Sequence, residues 1–192
     1  MESPEIIKNA AGREVPVTVN GKRQVPYKGA NKYSPKGNKY APPITSSNDF
    51  PRNGDKRVRS LEEAMKKCGL KDGMCISTHH HFRNGDLLAN QLFDAAHEMG
   101  VKDLVWFPSA SFPCHEHMIK YLEDGTIHHI EGSMNGPLGR FTSEGKMSGM
   151  GVLRSHGGRY QAVQDGEMHI DIAVIGAGCA DPFGNANGLS GP

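Results

Sequence analysis

Long apolar runs are missing from this sequence. The 192 residues are 36% hydrophobic and 7% aromatic, and no apolar run approaches the ~20 residues that a membrane-spanning helix needs. The segment after Met1 also lacks the apolar stretch of a secretory signal. We therefore expect a protein with a modest core, located in the cytoplasm and without a membrane span.

Closely spaced cysteine pairs are also missing. The four cysteines are Cys68, Cys75, Cys114 and Cys179, and no two of them have the C-x-x-C spacing of zinc ribbons or thioredoxin-type redox sites. Without a secretory signal, we expect them to be reduced thiols of a cytosolic protein.

A strong net charge is the third absence. The formal net charge is +1, which argues against a general nucleic-acid-binding protein. The charge is unevenly distributed, because residues 1–59 hold 12 Lys and Arg against 5 Asp and Glu, whereas residues 60–192 hold 10 against 16. We predict a basic, extended arm over 1–59, with a small hairpin at 15–25, and a folded domain over 60–192. A subunit-docking arm is favoured over a nucleic-acid tail, the alternative for a basic segment interleaved with tyrosines.

Apolar periodicity and capping residues predict alternating strands and helices in the domain. Ser60 and Glu63 have the spacing of a capping box at a helix start, and glycines follow the predicted helix ends. The predicted helices are 61–68, 86–99, 114–123 and one near 141–147, and the predicted strands are 74–78, 103–107, 126–130, 151–154 and 170–175. The alternation indicates an α/β fold with a mostly parallel sheet and flanking helices.

The turn after the first of these strands holds the densest polar cluster of the chain. His79, His80, His81 and Arg83 lie between the strand and a helix that we expect Asp86 to cap. This edge of an α/β sheet favours anions, because unpaired N–H groups and the helix dipole meet there. We predict an anion site, although some of these histidines could serve only local hydrogen bonds.

A second turn, Ser155-His156-Gly157-Gly158-Arg159, should lie at the same edge because it follows the predicted strand 151–154. Paired glycines expose backbone N–H groups suited to an oxyanion, and Arg159 can bind a carboxylate through two hydrogen bonds. The alternative is a plain glycine turn with a solvated arginine.

A third segment, Gly184-Asn185-Ala186-Asn187-Gly188, has the composition of a loop. The preceding Gly176-x-Gly178 does not continue as a dinucleotide fingerprint, so we expect no such cofactor. The histidine pairs at 79 and 81 and at 115 and 117 leave a metal-dependent hydrolase as a minor alternative. His-Glu-x-x-His is absent, and we expect no metal site.

Taken together and in this order, these motifs resemble the citrate lyase alpha chain. The resemblance covers about residues 58–190, and its motifs are specific as a set. It is carried by Leu61-Glu62-Glu63-Ala64-Met65, Gly69-Leu70-Lys71-Asp72-Gly73-Met74, His79-His80-x-Phe82-Arg83-Asn84-Gly85-Asp86, Asn135-Gly136-Pro137-Leu138-Gly139, 155–159 and 183–188.

This resemblance implies the first domain of a CoA-transferase-like (NagB/RpiA-like) fold. It also implies the transferase step of citrate lyase, in which acetyl is exchanged for citryl on a carrier thioester and acetate is released. The implied partners are the beta chain and the gamma acyl carrier chain, and the CoA-like arm of that carrier is a substrate rather than a tightly bound cofactor.

The resemblance also suggests site residues. Arg83 and Arg159 are expected to bind citrate carboxylates, and the histidines His79, His80, His81 and His156 are expected to act on an oxyanion or to orient the substrate. Further expected substrate contacts are Asn84, Gly85, Ser155, Gly157, Gly158, Asn185 and Asn187.

One departure from the family pattern concerns length. Chains of this family continue into a second α/β half, which in the wider fold carries the acidic catalytic residue. We therefore expect this chain to be one part of an enzyme and inactive alone. A non-catalytic binding or assembly module of the same fold is the alternative.

Overall fold

A four-stranded parallel sheet forms the centre of the protein. The structure is a computed structural model that describes residues 5–19, 21–23, 55–80 and 82–189. The strands are β5 (Cys75–Thr78), β6 (Leu104–Pro108), β7 (Ile127–Ile130) and β8 (Ile172–Val174), in the order β7-β6-β5-β8. Every neighbouring pair is parallel, which confirms the predicted α/β class.

Five helices accompany the sheet in the described part of the chain. They are α1 (Leu61–Lys67), α2 (Leu88–Glu98), α3 (Ile119–Glu123), α4 (Pro137–Ser143) and α5 (His156–Gln164), and two short 3-10 helices cover Arg83–Gly85 and Pro113–Met118. The predicted helix ends at Gly69 and Gly100 are confirmed, because both glycines adopt positive φ angles after the last helical turn.

The core lies mainly where α2 packs on β6. Phe93 of α2 meets Trp106 edge to face, with ring centroids 5.8 Å apart, and the Trp106 indole N–H donates to the buried Thr78 hydroxyl. Phe107, the next residue of the strand, points to the opposite face. Other fully buried side chains are Met65, Ile76, Leu92, Leu104, Met118, Leu122, Ile127, Ile130 and Leu138.

The start of α1 follows the predicted capping box with one difference. The Ser60 hydroxyl accepts the Glu63 N–H at 3.1 Å, as predicted. The Glu63 carboxylate, however, accepts from the N–H of Arg59 rather than from that of Ser60. The first contact satisfies a donor that the helix itself leaves unpaired, and the second fixes the residue before the cap.

Two predicted elements of the domain are wrong. The helix expected near 141–147 is α4, which begins four residues earlier because Pro137 suits the first turn of a helix. The strand expected at 151–154 is a single parallel bridge between Val152 and Glu131. A bridge forms there because only one residue pair lies in register.

Short antiparallel pairs lie towards the N-terminus and C-terminus. β3 (Thr18–Val19) pairs with β4 (Lys22–Arg23), which confirms the predicted hairpin, and Gly21 has a positive φ angle. β1 (Ile6–Lys8) pairs with β2 (Glu14–Pro16), and β9 (Cys179–Ala180) pairs with β10 (Ala186–Asn187). Residues 24–54, most of the predicted arm, lie outside the described residues.

No helix in the described ranges is long and apolar enough to cross a bilayer. All four cysteines are free thiols, as expected. Burial raises the pKa of the Cys75 thiol to about 12.

Candidate functional site

The carboxyl ends of the four parallel strands meet at one edge of the sheet, as the sequence predicts. The segments that leave this edge are bonded to each other. Ser111, after β6, donates its N–H to the Ser133 carbonyl at 2.8 Å, and its carbonyl accepts from the Asn135 side chain at 2.9 Å. The edge is therefore a connected surface rather than a set of separate loops.

Arg159 extends from α5 onto this edge. Its Nη2 donates to the Ser77 hydroxyl in β5 and to the Phe107 carbonyl in β6, both at 2.6 Å. The guanidinium carbon lies 4.3 Å from the centre of the Phe107 ring. These contacts place a positive charge at the ends of the two central strands.

The charge of Arg159 has no acidic partner within the described ranges. Its bonded acceptors are a hydroxyl and a carbonyl, and its Nε is buried without a hydrogen bond. Burial lowers the pKa of the guanidinium, since removing a charge from water is costly. A negatively charged ligand would compensate this charge.

The 155–159 segment is the first turn of α5, so the prediction of a glycine turn between elements is wrong. Ser155 caps the helix, because its hydroxyl accepts the Gly158 N–H at 3.0 Å. That cap takes up one of the N–H groups expected to face a ligand. Gly157 and the first helical residue, His156, are exposed.

Of the three consecutive histidines after β5, His79 and His80 lie within the described residues and His81 lies outside them. His80 is half-buried, and its Nδ1 lies 2.5 Å from the Ser109 hydroxyl oxygen. The exposed His79 ring packs against that of His80, with centroids 4.8 Å apart. Ser109 was not predicted, because only the pairing of β5 with β6 brings it to His80.

The turn at 82–86 presents an exposed Arg83 with a strained backbone, φ +50°. Asn84 holds the turn in place, since its side-chain oxygen accepts the Cys114 N–H at 3.0 Å. A side chain on Gly85 would meet nothing within 4 Å. No described residue therefore lies so close to this position that only a glycine would fit there.

Asp86 supports the start of α2 without being its cap residue. The helix begins at Leu88, two residues later than predicted, and Asp86 Oδ1 accepts the Leu88 N–H at 3.0 Å. The carboxylate is buried, and its Oδ2 lies 3.9 Å from Nε2 of the buried His115. Burial also lowers the pKa of His115. This pair was not predicted, because it depends on the 3-10 helix at Pro113–Met118.

The two asparagines of the C-terminal loop make hydrogen bonds within the loop, while the Pro182 carbonyl accepts the Lys56 N–H at 2.7 Å. Asn185 donates its backbone and side-chain N–H groups to Asp181 at 2.9 and 2.8 Å, and Asn187 accepts from the Leu189 N–H. Both asparagines are exposed. Their predicted contact with substrate stays a prediction.

The histidines at 115 and 117 make different contacts, and His81 of the other pair lies outside the described residues. No group of three or more His, Cys, Asp or Glu is placed to hold an ion in the described part of the chain. His115 is buried beside Asp86, whereas His117 is at the surface, 2.5 Å from Asp94. These two histidines therefore serve separate contacts.

Comparison with known proteins identifies the family. The family model described as "Citrate lyase, alpha subunit (CitF)" matches residues 54–192. The chain belongs to the citrate lyase alpha subunit family. The resemblance carried by the sequence motifs is thereby confirmed.

Individual members of the citrate lyase alpha subunit family agree with this assignment. The chain is 41% identical over 137 residues to the citrate lyase alpha chain of Escherichia coli (strain K12) and 44% identical over 133 residues to that of Klebsiella pneumoniae, which covers 71% and 69% of this chain. An alpha subunit of citrate lyase from Streptococcus mutans, solved in complex with citrate, superimposes with a TM-score of 0.77 at 37% identity over 95% of the chain.

The chain spans only part of the length of these citrate lyase alpha subunits. It covers 27% and 26% of the two curated relatives and 35% of the Streptococcus mutans chain. The matched region includes β5 to β8 and the whole carboxyl edge described above.

Proposed function

We propose that this chain supplies the citrate-binding face of the transferase site of citrate lyase. The observation that carries the proposal is the Arg159 guanidinium, held at the ends of β5 and β6 without an acidic partner in the described residues. Citrate is a tricarboxylate, and its carboxylates can accept charge-assisted hydrogen bonds from Nη1 of Arg159, because both hydrogens of Nη2 are donated to Ser77 and Phe107. Family membership supports the choice of citrate among anions.

In the proposed reaction, a carboxylate oxygen of citrate attacks the carbonyl carbon of an acetyl thioester. The thiolate leaves and then attacks the citryl carbonyl of the mixed anhydride, which forms citryl thioester and releases acetate. Each attack develops negative charge on oxygen, and hydrogen-bond donors fixed in advance stabilise that charge. Arg159 and His80 are the described side chains at this edge best placed to donate.

The remaining predicted residues contribute less directly in this proposal. Arg83 is an exposed second cation that would meet another carboxylate of citrate. His79 and His156 border the edge from β5 and α5, whereas Asn84 and Ser155 already hold the backbone in place. The beta chain and the gamma acyl carrier chain are the proposed partners, and the carrier thioester is the second substrate.

Isothermal titration calorimetry with citrate tests the role of Arg159. We expect Arg159→Gln to weaken citrate binding by about 10- to 100-fold, because a hydrogen bond to a charged group contributes roughly 1.5–3 kcal/mol. The control is Arg140→Gln, which removes the same charge from an exposed position on α4. Arg140→Gln should change the affinity by less than about twofold.

Equal citrate affinity in Arg159→Gln and the unmodified chain would contradict the proposal. Circular dichroism on each variant confirms that it is folded. Arg159→Lys serves as a further variant, since it keeps the charge but loses the planar guanidinium that contacts Ser77 and Phe107. Its affinity should lie between those of Arg159→Gln and the unmodified chain.

A further inference from the structure

We propose that Ser109 is a positioning residue that fixes His80 in the tautomer with hydrogen on Nε2. The neutral ring then donates a hydrogen bond to an oxygen of the bound carboxylate substrate. This inference rests on the proposed function and gives one of its histidines a defined role. It makes His80 a donor to developing negative charge rather than a base.

Ser109 is fixed where β6 ends. It is buried, 7% exposed, and its N–H donates to the Thr78 carbonyl at 3.0 Å. Its hydroxyl oxygen accepts the backbone N–H of His80 at 3.2 Å and lies 2.5 Å from His80 Nδ1. The His80 ring also packs against Phe112, with centroids 5.2 Å apart. The ring is therefore held by the segment that follows β6.

The Ser109 hydroxyl determines which ring nitrogen of His80 carries the hydrogen. A serine hydroxyl has one hydrogen and two lone pairs, and the His80 backbone N–H occupies one lone pair. If Nδ1–H donated to the oxygen as well, the hydroxyl hydrogen would have no acceptor, since Ser109 Oγ has no other partner among the described residues. A buried donor without a partner is costly. The hydroxyl therefore donates to Nδ1, and the ring hydrogen lies on Nε2.

This tautomer suits the chemistry of the proposed site. A neutral imidazole with hydrogen on Nε2 donates from that atom and cannot accept a proton there. An oxygen that gains negative charge needs such a donor in place before the attack. His115 provides an internal comparison, because its Nδ1 accepts the Phe112 N–H at 2.9 Å and its hydrogen is fixed on Nε2 by backbone.

Nitrogen-15 NMR of the imidazole rings in the full chain, without ligand and at a pH where they are neutral, tests the tautomer. The His80 signals are assigned by their loss in His80→Gln. We expect Nδ1 of His80 at the shift of an unprotonated nitrogen. In Ser109→Ala that shift should move towards the average of a solvent-exposed histidine, and Ser109→Thr, which keeps the hydroxyl, should restore it.

A matched control is Ser111→Ala. Ser111 lies in the same loop, and its buried hydroxyl accepts the Asn135 N–H rather than contacting His80. This variant should leave the His80 shifts unchanged, and all serine variants should leave those of His115 unchanged. A protonated His80 Nδ1 in the unmodified chain would overturn the proposal. So would a Ser109→Ala spectrum identical with that of the unmodified chain.

Citrate titrations separate this inference from the proposed function. We expect Ser109→Ala to bind citrate about tenfold more weakly, Ser111→Ala to bind within about twofold, and the His80 Hε2 resonance to shift on citrate binding. Citrate binding without a response at Hε2 would overturn the donor role. Absence of citrate binding to the unmodified chain would contradict the proposed function, while the ligand-free spectra still decide the tautomer.

Discussion

At the scale of single residues, Arg159 and Ser109 both connect the two central strands of the sheet. Each joins β5 to β6 where the two strands end, Arg159 through Ser77 and Phe107 and Ser109 through His80. The two contacts orient a cation and an imidazole relative to the sheet itself. Such groups need little reorganisation when a ligand binds.

Two glycines near this edge differ in how much room the structure leaves for a side chain. A Cβ on Gly132, just after β7, would lie 2.2 Å from the Pro108 carbonyl oxygen, so the backbones of two segments approach too closely for any side chain. A Cβ on Gly157, inside α5, would meet nothing within 4 Å. Glycine there only adds conformational freedom to the unfolded chain.

We therefore expect opposite changes in the free energy of unfolding. Gly132→Ala should lower it by about 2 kcal/mol, because the backbone must move to relieve the clash. Gly157→Ala should raise it by up to about 1 kcal/mol, because alanine favours the helix. Urea unfolding followed by circular dichroism measures both. Destabilisation by Gly157→Ala would contradict the assignment of 156–164 as a helix whose first turn tolerates a side chain.

At the scale of elements, an ion-pair network connects the end of β7 to the segment that leads into α5. Arg154 Nε donates to Glu131 at 2.9 Å, and His129 Nε2 lies 3.3 Å from the other carboxylate oxygen. Arg154 also reaches the more exposed Glu167 at 3.4 Å. The backbone bridge between Glu131 and Val152 runs alongside. Arg154 directly precedes Ser155, the cap of α5, so the network anchors the segment from which this helix starts.

Glu131 should make stability depend on pH in the acid range. Burial raises the pKa of its carboxyl, but the hydrogen bonds and charges of His129 and Arg154 outweigh burial and hold the pKa below the usual 4.5. A depressed folded-state pKa adds stability above the unfolded pKa, and this stability is lost as pH falls through the folded value. We expect Glu131→Gln to cost about 2 kcal/mol at pH 6.

The difference between Glu131→Gln and the unmodified chain should shrink progressively as the pH falls below about 4.5. Urea unfolding at a series of pH values measures it. Glu98→Gln is the control, since Glu98 is exposed on α2, and it should stay within about 0.5 kcal/mol throughout. A cost for Glu131→Gln that is the same at pH 3 and pH 6 would contradict the network.

The predicted elements were correct where local chemistry determined them. Apolar runs located β5, β6 and β7 within one residue, and glycines with positive φ angles ended α1 and α2. The start of α4 is also a local property, because Pro137 is typical of the first turn of a helix. At 155–159 the Ser155 cap and the rest of α5 outweighed the low helix propensity of two glycines, which tertiary context can do. The bridge at Val152 could not be predicted, because register across strands is not a local property.

At the scale of the whole molecule, the sheet order β7-β6-β5-β8 brings four sequence-distant segments to one edge. The predicted parallel sheet implied that edge, and with it the location of Arg159 and the histidines. Their partners were not predictable, because Ser77 is 82 residues from Arg159 and Ser109 is 29 residues from His80. Contacts at such separations follow from the folded sheet rather than from any motif.

The location at which citrate binds the chain tests the proposed site most directly. A titration of the nitrogen-15-labelled chain with citrate, followed by amide and side-chain NMR shifts, maps the site in one experiment. We expect the largest changes at Ser77, Ser109 and Arg159, at the carboxyl ends of β5 and β6. Changes confined to the groove beside α4, which Arg140 and Lys146 line, or no changes at all, would contradict the proposed site.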